Sequence, residues 1–399
     1  MSKIKRPLII LPIIIFSQFA GTSTWFASNA ILGDLQTALN LGAGALGYMT
    51  SAVQFGFITG TLLFAVLVIS DRFSPRYVFF SCSTLNAAFN LGIYFLAEGF
   101  WSLLIVRFLT GFMLAGIYPV GMKIAAGWYQ KGLGKALGFL VGALVLGTAF
   151  PHLLKAAGQS FDWEVVIFAI SGLAFLGGIS MFLLVPDGPF LSKGTKFDSK
   201  ALRVIFQSKA LRAAAFGYFG HMWELYAVWA FFPVFLAAYG ELAPQLEINI
   251  SLWSFFIIAA GFLGCAIGGL ISLKTGSVIV AFVQLLASGL LCLFSPLLFD
   301  LPPFIFLLFL VFWGVFVVGD SPQFSALAAK TAPPQFVGSA LTIINSIGFA
   351  ISIVSIQFLN YLLTVIEVKF LFIPLLIGPM LGLIALRPLM KVKSVERGA

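Results

Sequence analysis

Apolar runs recur along the whole chain, separated by short segments rich in glycine, proline and charge. A helix needs about 20 apolar residues to cross roughly 30 Å of hydrocarbon, and each run is long enough for one such span. The separating segments include SDRFSPR at 70–76 and TAPPQFVG at 331–338, where proline lacks the N–H that a helix needs. The pattern therefore predicts an all-α polytopic membrane protein.

Twelve spans account for the apolar runs, and an even number places both termini on one side of the membrane. Composition agrees, because a chain of 399 residues with 9% charged residues cannot cover the surface of a soluble domain of that size. The predicted spans are 8–32, 45–69, 77–97, 101–121, 135–155, 165–185, 211–236, 251–273, 277–298, 304–324, 337–361 and 368–386.

Basic residues are distributed unevenly between the two sides. Of the 23 lysines and arginines, Lys155 and Lys369 fall opposite the termini and Arg107 lies inside a span, while the others share the side of the termini. The positive-inside rule therefore predicts that both termini are cytoplasmic in a bacterial inner membrane. The net charge of +9 reflects this topology and contact with the lipid bilayer, so we exclude nucleic acid as a partner.

An internal repeat relates the two halves of the chain. The matching positions are glycines, prolines and a tryptophan, whose places are set by close packing or backbone geometry. They are Gly111 with Gly314, Gly116 with Gly319, Pro119 with Pro322, and Trp25 with Trp229. We therefore predict two six-helix bundles, 1–185 and 211–399, joined by a basic cytoplasmic linker over 186–210.

Four residues qualify as ionisable groups at mid-bilayer depth within the predicted spans. They are Arg107, His221, Glu224 and Asp320. An ionisable group at mid-bilayer costs roughly 2.5–3.5 kcal/mol, so it normally faces a cavity or a partner. His221 and Glu224 are three residues apart on nearly the same face of span 7, and we expect this pair to exchange a proton. The alternative is a hydrogen bond, between the two or to a neighbouring helix, that only fixes packing.

The other two candidates follow from their chemistry. Arg107 cannot lose its charge, so it must meet an acid, a carbonyl, water or an anionic solute. We expect it to respond to the acids or to hold solute, with a static ion pair as the alternative. Asp320 lies beside Gly319 and two residues before Pro322, which loosen the helix. It is expected either to bind a proton or another cation, or to tether span 10 to a basic loop as part of a gate.

Polar residues also recur along the spans. They include Gln18, Thr22, Trp25 and Asn29 in span 1, Tyr118 in span 4 and Tyr218 in span 7. The four in span 1 follow spacings of four, three and four, which place them on one helical face. A single Asn or Gln in a span is more often an interhelical hydrogen bond than a ligand. As a set they favour a wet central pathway, with Gln18, Trp25, Tyr118 and Tyr218 in contact with a small solute.

The loop SDRFSPR and the twelve spans with their long central linker resemble the major facilitator superfamily. Asp71, Arg72 and Arg76 match the acidic and basic positions of the family's signature loop, and RFLTGFMLAG at 107–116 resembles its fourth-span pattern. The resemblance implies two six-helix pseudo-repeats, with spans 1, 4, 7 and 10 lining the solute path. It also implies that the three loop residues form a cytoplasmic gate.

Three further runs resemble a bacterial branch of the superfamily loosely grouped with nitrate and cyanate porters. They are GIYPVGMK at 116–123, HMWELYAVW at 221–229 and GDSPQFSALAA at 319–329. Nitrate porters use an arginine in spans 2 and 8, and the predicted spans 2 and 8 of this sequence contain none. Nitrate is therefore not the expected solute.

The leading hypothesis is a monomeric, proton-coupled secondary active transporter of a small polar or organic solute, working by alternating access. One alternative is an efflux antiporter for hydrophobic cations, which the many Phe and Trp residues suit, although the fifth-span antiporter motif is degenerate around Gly147 and Pro151. Another is a non-transporting receptor on the same scaffold. Without a GxxxxGK loop or a cluster of metal-binding side chains, we expect no enzyme activity, cofactor or metal.

Overall fold

The computed structural model describes residues 8–129, 133–158, 162–191, 197–242, 244 and 247–397. Eleven helical segments in these ranges are long and apolar enough to cross a membrane, and a shorter apolar helix precedes them. Numbered in chain order, spans 1 to 12 are Ile10–Thr22 with Ala27–Ala30, Ala45–Val66, Pro75–Phe95, Phe100–Leu114 with Tyr118–Trp128, Leu133–Ala157, Trp163–Leu184, Lys209–Leu242, Ile250–Thr275, Ser277–Phe294, Pro303–Gly319 with Ser321–Thr331, Val337–Leu362 and Ile377–Arg397. The predicted all-α polytopic fold is confirmed.

The spans pack in two groups that repeat the same pairings. In the N-terminal half, span 1 packs on spans 5 and 6, span 2 on span 4, and span 3 on spans 4 and 6. In the C-terminal half, span 7 packs on spans 11 and 12, span 8 on span 10, and span 9 on spans 10 and 12. Each C-terminal pairing lies six spans after its N-terminal counterpart. The bounds of the bundles and the linker, 1–185, 211–399 and 186–210, stay predictions.

The repeated glycines allow close contact between paired helices. Gly111 of span 4 lies against the backbone of Val53 in span 2, and Gly314 of span 10 lies against the backbone of Ile257 in span 8. At both glycines, a Cβ atom would collide with the neighbouring carbonyl oxygen. The two halves then meet along spans 5 and 8 and along spans 2 and 11.

Spans 4 and 10 are broken at their repeated glycine and proline positions. Span 4 ends its first helix at Leu114 and resumes at Tyr118, while span 10 is interrupted at Asp320. Pro119 and Pro322 each occupy the first turn of the resumed helix, where the missing N–H has no helical partner to lose. The break in span 10 therefore falls on a candidate site residue.

Span 1 departs from the continuous helix predicted over 8–32. Its first helix ends at Thr22, residues 23–26 form a turn, and a short helix resumes at Ala27. The prediction of one helical face is therefore wrong beyond Thr22, because the turn changes the direction of Trp25 and Asn29. Gln18, Thr22, Trp25 and Asn29 are nevertheless all buried.

Several span ends also differ from the prediction, and spans 4 and 10 extend to Trp128 and Thr331 rather than to 121 and 324. Span 7 continues through Pro233 to Leu242, beyond the predicted end at 236. Span 12 becomes α-helical only at Ile377, because short 3₁₀ turns occupy Val368–Phe370 and Ile373–Leu376. The segment from 368 still meets the length and hydropathy expected of a span.

Candidate functional site

Arg107 holds the turn in span 1. Its side chain is fully buried, Nη1 donates to the carbonyl oxygen of Thr24 at 3.1 Å, and Nη2 donates to that of Trp25 at 2.6 Å. Charge-assisted hydrogen bonds are a strong way to satisfy a guanidinium that cannot deprotonate. Backbone carbonyls therefore take the place of the ion pair that was the alternative for Arg107.

Span 3 supports the same turn. The Nδ2 atom of Asn86 donates to the carbonyl oxygen of Gly21 at 3.1 Å and to Oγ1 of Thr24 at 2.9 Å. One turn later in span 3, Asn90 donates to the hydroxyl of Ser171 in span 6 at 2.9 Å. Both asparagines are interhelical links, and Asn86 together with Arg107 holds the turn at which span 1 is broken.

An aromatic cluster joins the two halves at this turn; it consists of Trp25, Phe57, Tyr226 and Phe349. The Trp25 ring stacks on Tyr226 at 5.8 Å and on Phe349 at 5.7 Å between centroids, with interplanar angles of 19° and 26°. Phe57 lies 5.0 Å from Trp25 and 4.6 Å from Phe349. Trp25 therefore reaches from span 1 to spans 7 and 11.

His221 pairs with Asp320 rather than with Glu224, and proton exchange between His221 and Glu224 stays a prediction. His221 Nδ1 lies 2.8 Å from Asp320 Oδ1, and both side chains are buried. The break in span 10 places Asp320 beside span 7, so the partner of His221 comes from another helix. Asp320 lies inside the bundle, so the alternative in which it tethers a basic loop does not describe its position.

Glu224 belongs to a separate hydrogen-bond network. Its Oε2 atom accepts from Ser288 Oγ at 3.0 Å and from Cys292 Sγ at 3.5 Å, while the indole of Trp313 donates to Ser288 Oγ at 3.1 Å. This network links spans 7, 9 and 10. Tyr226 is two residues later, about 200° around the helix, so Glu224 faces away from the aromatic cluster.

Several buried polar groups have no hydrogen-bond partner within the described ranges. Both side-chain polar atoms of Gln18 and of Gln54 are in this position, as are the indole nitrogens of Trp25 and Trp229 and Nε2 of His221. A buried polar group left unpaired costs about 1–3 kcal/mol, and folded proteins leave few of them. Water or a bound molecule is the expected partner of such a group.

The model of the family described as Major Facilitator Superfamily matches residues 14–356. The chain belongs to the major facilitator superfamily. The resemblance read from the SDRFSPR loop is thereby confirmed, and the protein is a multi-pass membrane transporter of this superfamily.

Individual members of the superfamily resemble this transporter to different extents. A putative metabolite transport protein of Haemophilus influenzae is 27% identical over 350 residues, which cover 80% of each chain. The hexuronate transporter of Bacillus subtilis is 23% identical over 276 residues, covering 66% of this chain and 64% of that protein. The structure of the proton:xylose symporter XylE bound to 6-bromo-6-deoxy-D-glucose has a TM-score of 0.73 at 15% identity, covering 96% of this chain and 94% of that one, and shows the shared fold.

In this protein the two tyrosines predicted to contact solute lie on spans 4 and 7. Tyr218 is buried, with its ring centroid 5.9 Å from that of His221, and Tyr118 is partly exposed at the start of the second helix of span 4. Contact of Tyr118 and Tyr218 with solute stays a prediction.

The signature loop makes its contacts within the N-terminal half. Asp71 Oδ1 lies 2.5 Å from Nζ of Lys123 at the end of span 4. The Arg76 guanidinium lies over the ring of Phe182 in span 6, with 5.8 Å to the centroid, and Arg72 is exposed. These contacts link the loop to span 4 and the start of span 3 to span 6, and the action of the loop as a gate stays a prediction.

Spans 2 and 11 are linked at the end of the bundle opposite the termini. Gln357 Nε2 donates to Ser51 Oγ at 2.8 Å, and Asn360 Nδ2 donates to the carbonyl of Gly44 at 3.3 Å. The aromatic cluster lies on the same pair of helices, nearer the middle. The two halves of the protein are therefore in direct contact from the bundle centre to the end opposite the termini.

Proposed function

We propose that this protein is a proton-coupled secondary active transporter that moves a small polar organic solute across the bacterial inner membrane by alternating access. The observation that carries the proposal is the buried pair of His221 and Asp320 at the break in span 10. Ionisable groups are rare inside spans and frequently mark proton or substrate pathways. Gain or loss of one proton changes the charge of this pair, and with it the attraction between spans 7 and 10.

Glu224 offers a second protonatable group in the same half. An ionised carboxylate only accepts hydrogen bonds, whereas a protonated one also donates. Protonation therefore changes the bond between Glu224 and Ser288, whose hydroxyl also accepts from Trp313. Both acids link span 7 to its neighbours, so both connect protonation to movement of this helix.

The contacts between the halves support alternating access. The aromatic cluster and the bond between Gln357 and Ser51 connect span 2 to span 11 on the side away from the termini. Such contacts must separate before a solute can leave on that side. The relatives are named for metabolite, hexuronate and proton:xylose transport, which supports a small organic solute.

Transport by purified protein in liposomes tests the proposal. A pH-sensitive dye inside the vesicles reports proton movement after addition of sugars, sugar acids, amino acids, nucleosides or lipophilic cations. We expect at least one solute to move protons in the parent protein. Asp320→Asn should abolish accumulation driven by a pH gradient yet retain solute counterflow. Asp34→Asn, which alters an ion pair with Lys155 at the bundle end, is the matched control.

Two outcomes contradict the proposal. Solute transport that proceeds at the same rate and to the same level with and without a pH gradient rules out proton coupling. Gradient-driven accumulation by Asp320→Asn at the parent level shows that the pair with His221 is structural.

A further inference from the structure

We infer that the transported solute is an uncharged polyhydroxylated molecule, bound between the amides of Gln18 and Gln54 beside the indole of Trp25. This inference rests on the proposed transport function and names its solute class. It separates two classes found among the relatives, since one is named for a hexuronate and another for the neutral sugar xylose.

The one fully buried guanidinium at the centre of the protein already donates to the backbone. Among residues whose burial is described, Arg107 is the one lysine or arginine that is fully buried. Both of its terminal nitrogens donate to backbone carbonyls, of Thr24 and Trp25. A carboxylate that bound both terminal nitrogens would compete with the two carbonyls for the guanidinium, and Nε is the one nitrogen of this group without a partner in the described ranges. His221, the other group able to carry a positive charge here, already faces Asp320.

The carboxylates are equally unsuited to an organic cation in the aromatic cluster. Glu224 faces Ser288 on the opposite side of span 7 from Tyr226. Asp320 is paired with His221. A cation beside Trp25 would therefore have ring faces but no adjacent acid, and a buried charge needs a counter-charge or several hydrogen bonds.

The groups left without partners match hydroxyls. The amides of Gln18 and Gln54 each present a donor and an acceptor, and the Trp25 indole presents a donor. A hydroxyl also donates and accepts, so a molecule with several hydroxyls satisfies such a mixture without bringing a charge. All three side chains are at most 1% exposed, so bulk water does not satisfy them.

Helix geometry directs Gln54 toward the turn that carries Trp25. Gln54 lies four residues after Thr50, whose hydroxyl accepts from Asn29 of span 1 at 2.8 Å. It also lies three residues before Phe57, which contacts the Trp25 ring. Residues three and four apart share a helix face, so Gln54 faces span 1 between these two contacts.

Gln18 reaches the same region from the other side of the turn. It lies one helical turn before Thr22, the last residue of the first helix. Its Oε1 atom is beside Gly121, in the second helix of span 4, where a Cβ would collide with it. Tyr118 is three residues before Gly121 on the same helix, and thus on nearly the same face. The amide of Gln18, from span 1, and the amide of Gln54, from span 2, are therefore both directed toward the turn that carries Trp25.

The stacked rings suit the apolar face of a sugar. Trp25 lies within 26° of parallel to both Tyr226 and Phe349. A sugar ring has a flat C–H face that packs against an aromatic ring, and hydroxyls at its edge that reach polar groups. In the present conformation the rings contact one another, so a solute must replace one of these stacking contacts when the halves separate.

Binding of matched neutral and acidic sugars tests the inference. D-Glucose and D-glucuronate, and D-galactose and D-galacturonate, differ within each pair only at C6, and tetraphenylphosphonium serves as the cation. Titrations of the purified protein without a proton gradient, followed by tryptophan fluorescence and thermal unfolding, give the affinities. We expect the neutral member of at least one pair to bind about tenfold more tightly than its acid.

Variants assign the site. Gln54→Leu keeps the approximate size and removes the amide, and should weaken binding of the neutral sugar about tenfold. Gln207→Leu, on the exposed face of the linker helix Lys200–Gln207, should leave binding unchanged. Trp25→Phe retains a ring without the N–H and provides a second test, should the leucine variant fail to fold.

Three outcomes overturn the inference. They are tighter binding of an acid or of tetraphenylphosphonium, no binding of any neutral sugar in the panel, and unchanged affinity in both Gln54→Leu and Trp25→Phe. Because binding is measured without a gradient, the result is independent of proton coupling. Binding of neutral sugars without solute-driven proton movement contradicts the proposed coupling alone.

Discussion

Arg107 in span 4 fixes the backbone of Trp25 in span 1, with 2.6 Å between Nη2 and the carbonyl oxygen. The side chain of that same tryptophan stacks on Tyr226 and Phe349 in the other half. A buried charge in one helix therefore sets the position of a contact between the halves, although Arg107 itself does not take part in that contact.

Arg107→Gln should destabilise the protein and loosen the aromatic cluster. It removes charge-assisted hydrogen bonds worth about 1.5–3 kcal/mol each, so we expect the free energy of unfolding to fall by about 3 kcal/mol. Denaturant unfolding in detergent measures this change, and a shift in tryptophan emission reports the cluster. Arg72→Gln, at an exposed position, is the control and should change stability by less than about 0.5 kcal/mol. Equal stability of the two variants would show that the carbonyls do not need Arg107.

Glu224→Gln should separate exchange from accumulation. The amide keeps the size of the side chain but cannot take up or release a proton. We expect solute counterflow to continue, while accumulation driven by a pH gradient is lost. Counterflow and gradient-driven uptake measured in the same liposomes check this expectation. A variant that accumulates solute as the parent does identifies Glu224 as a structural residue.

A cross-link between spans 2 and 11 should stop transport. Ser51 and Gln357 are hydrogen-bonded across the halves, so cysteines at both positions are within reach of a short reducible bifunctional reagent. The native Cys82, Cys265 and Cys292 are buried and give little background. We expect cross-linking to reduce transport at least tenfold and reduction to restore it. The control pair Asp34→Cys and Lys155→Cys lies within one half, and its cross-link should leave transport intact.

Asp71→Asn should slow turnover more than it weakens solute binding. The substitution removes the charge that pairs with Lys123 and thereby loosens the signature loop from span 4. Transport rate and equilibrium affinity, measured separately, distinguish the two effects. A tenfold loss of affinity at an unchanged rate makes Asp71 a binding residue rather than part of a gate.

Reporter fusions test the predicted orientation. A reporter after Ala399 and one near Lys196 should both be cytoplasmic, and one near Glu247 should be periplasmic. Ala399 and Lys196 lie outside the described residues, so this prediction depends on the distribution of basic residues and the number of spans. A periplasmic reporter near Lys196 is incompatible with twelve spans.

The sequence predicted the features that depend on neighbouring residues along the chain, such as the loosened helix at Asp320 and the buried ionisable side chains. Gly319 and Pro322 were expected to loosen span 10, whereas Gly116 and Pro119 were noted only as repeat positions and the break in span 4 was not predicted. The four ionisable candidates at mid-bilayer depth were identified because a charge in hydrocarbon is costly and normally faces a cavity or a partner. All four are buried, as that reasoning requires.

Features set by contacts between distant helices were missed. The turn in span 1 depends on Asn86 and Arg107, which lie in other spans, so the apolar pattern around Thr22 predicted a continuous helix. Likewise, His221 meets an acid 99 residues away rather than the one three residues away. Nothing in the sequence distinguished the cluster members Phe57 and Phe349 from the other phenylalanines, of which the chain has 45 in total.

Span 7 has different chemistry on its two sides, with Glu224 and Ser288 on one and Tyr226 and Trp25 on the other. Span 7 thus separates the hydrogen-bond network of Glu224 from the aromatic cluster. At the proposed site, substitutions around Tyr226 should change the fit of a solute without altering the surroundings of Glu224, so selectivity and the proposed proton coupling should be separable by mutation.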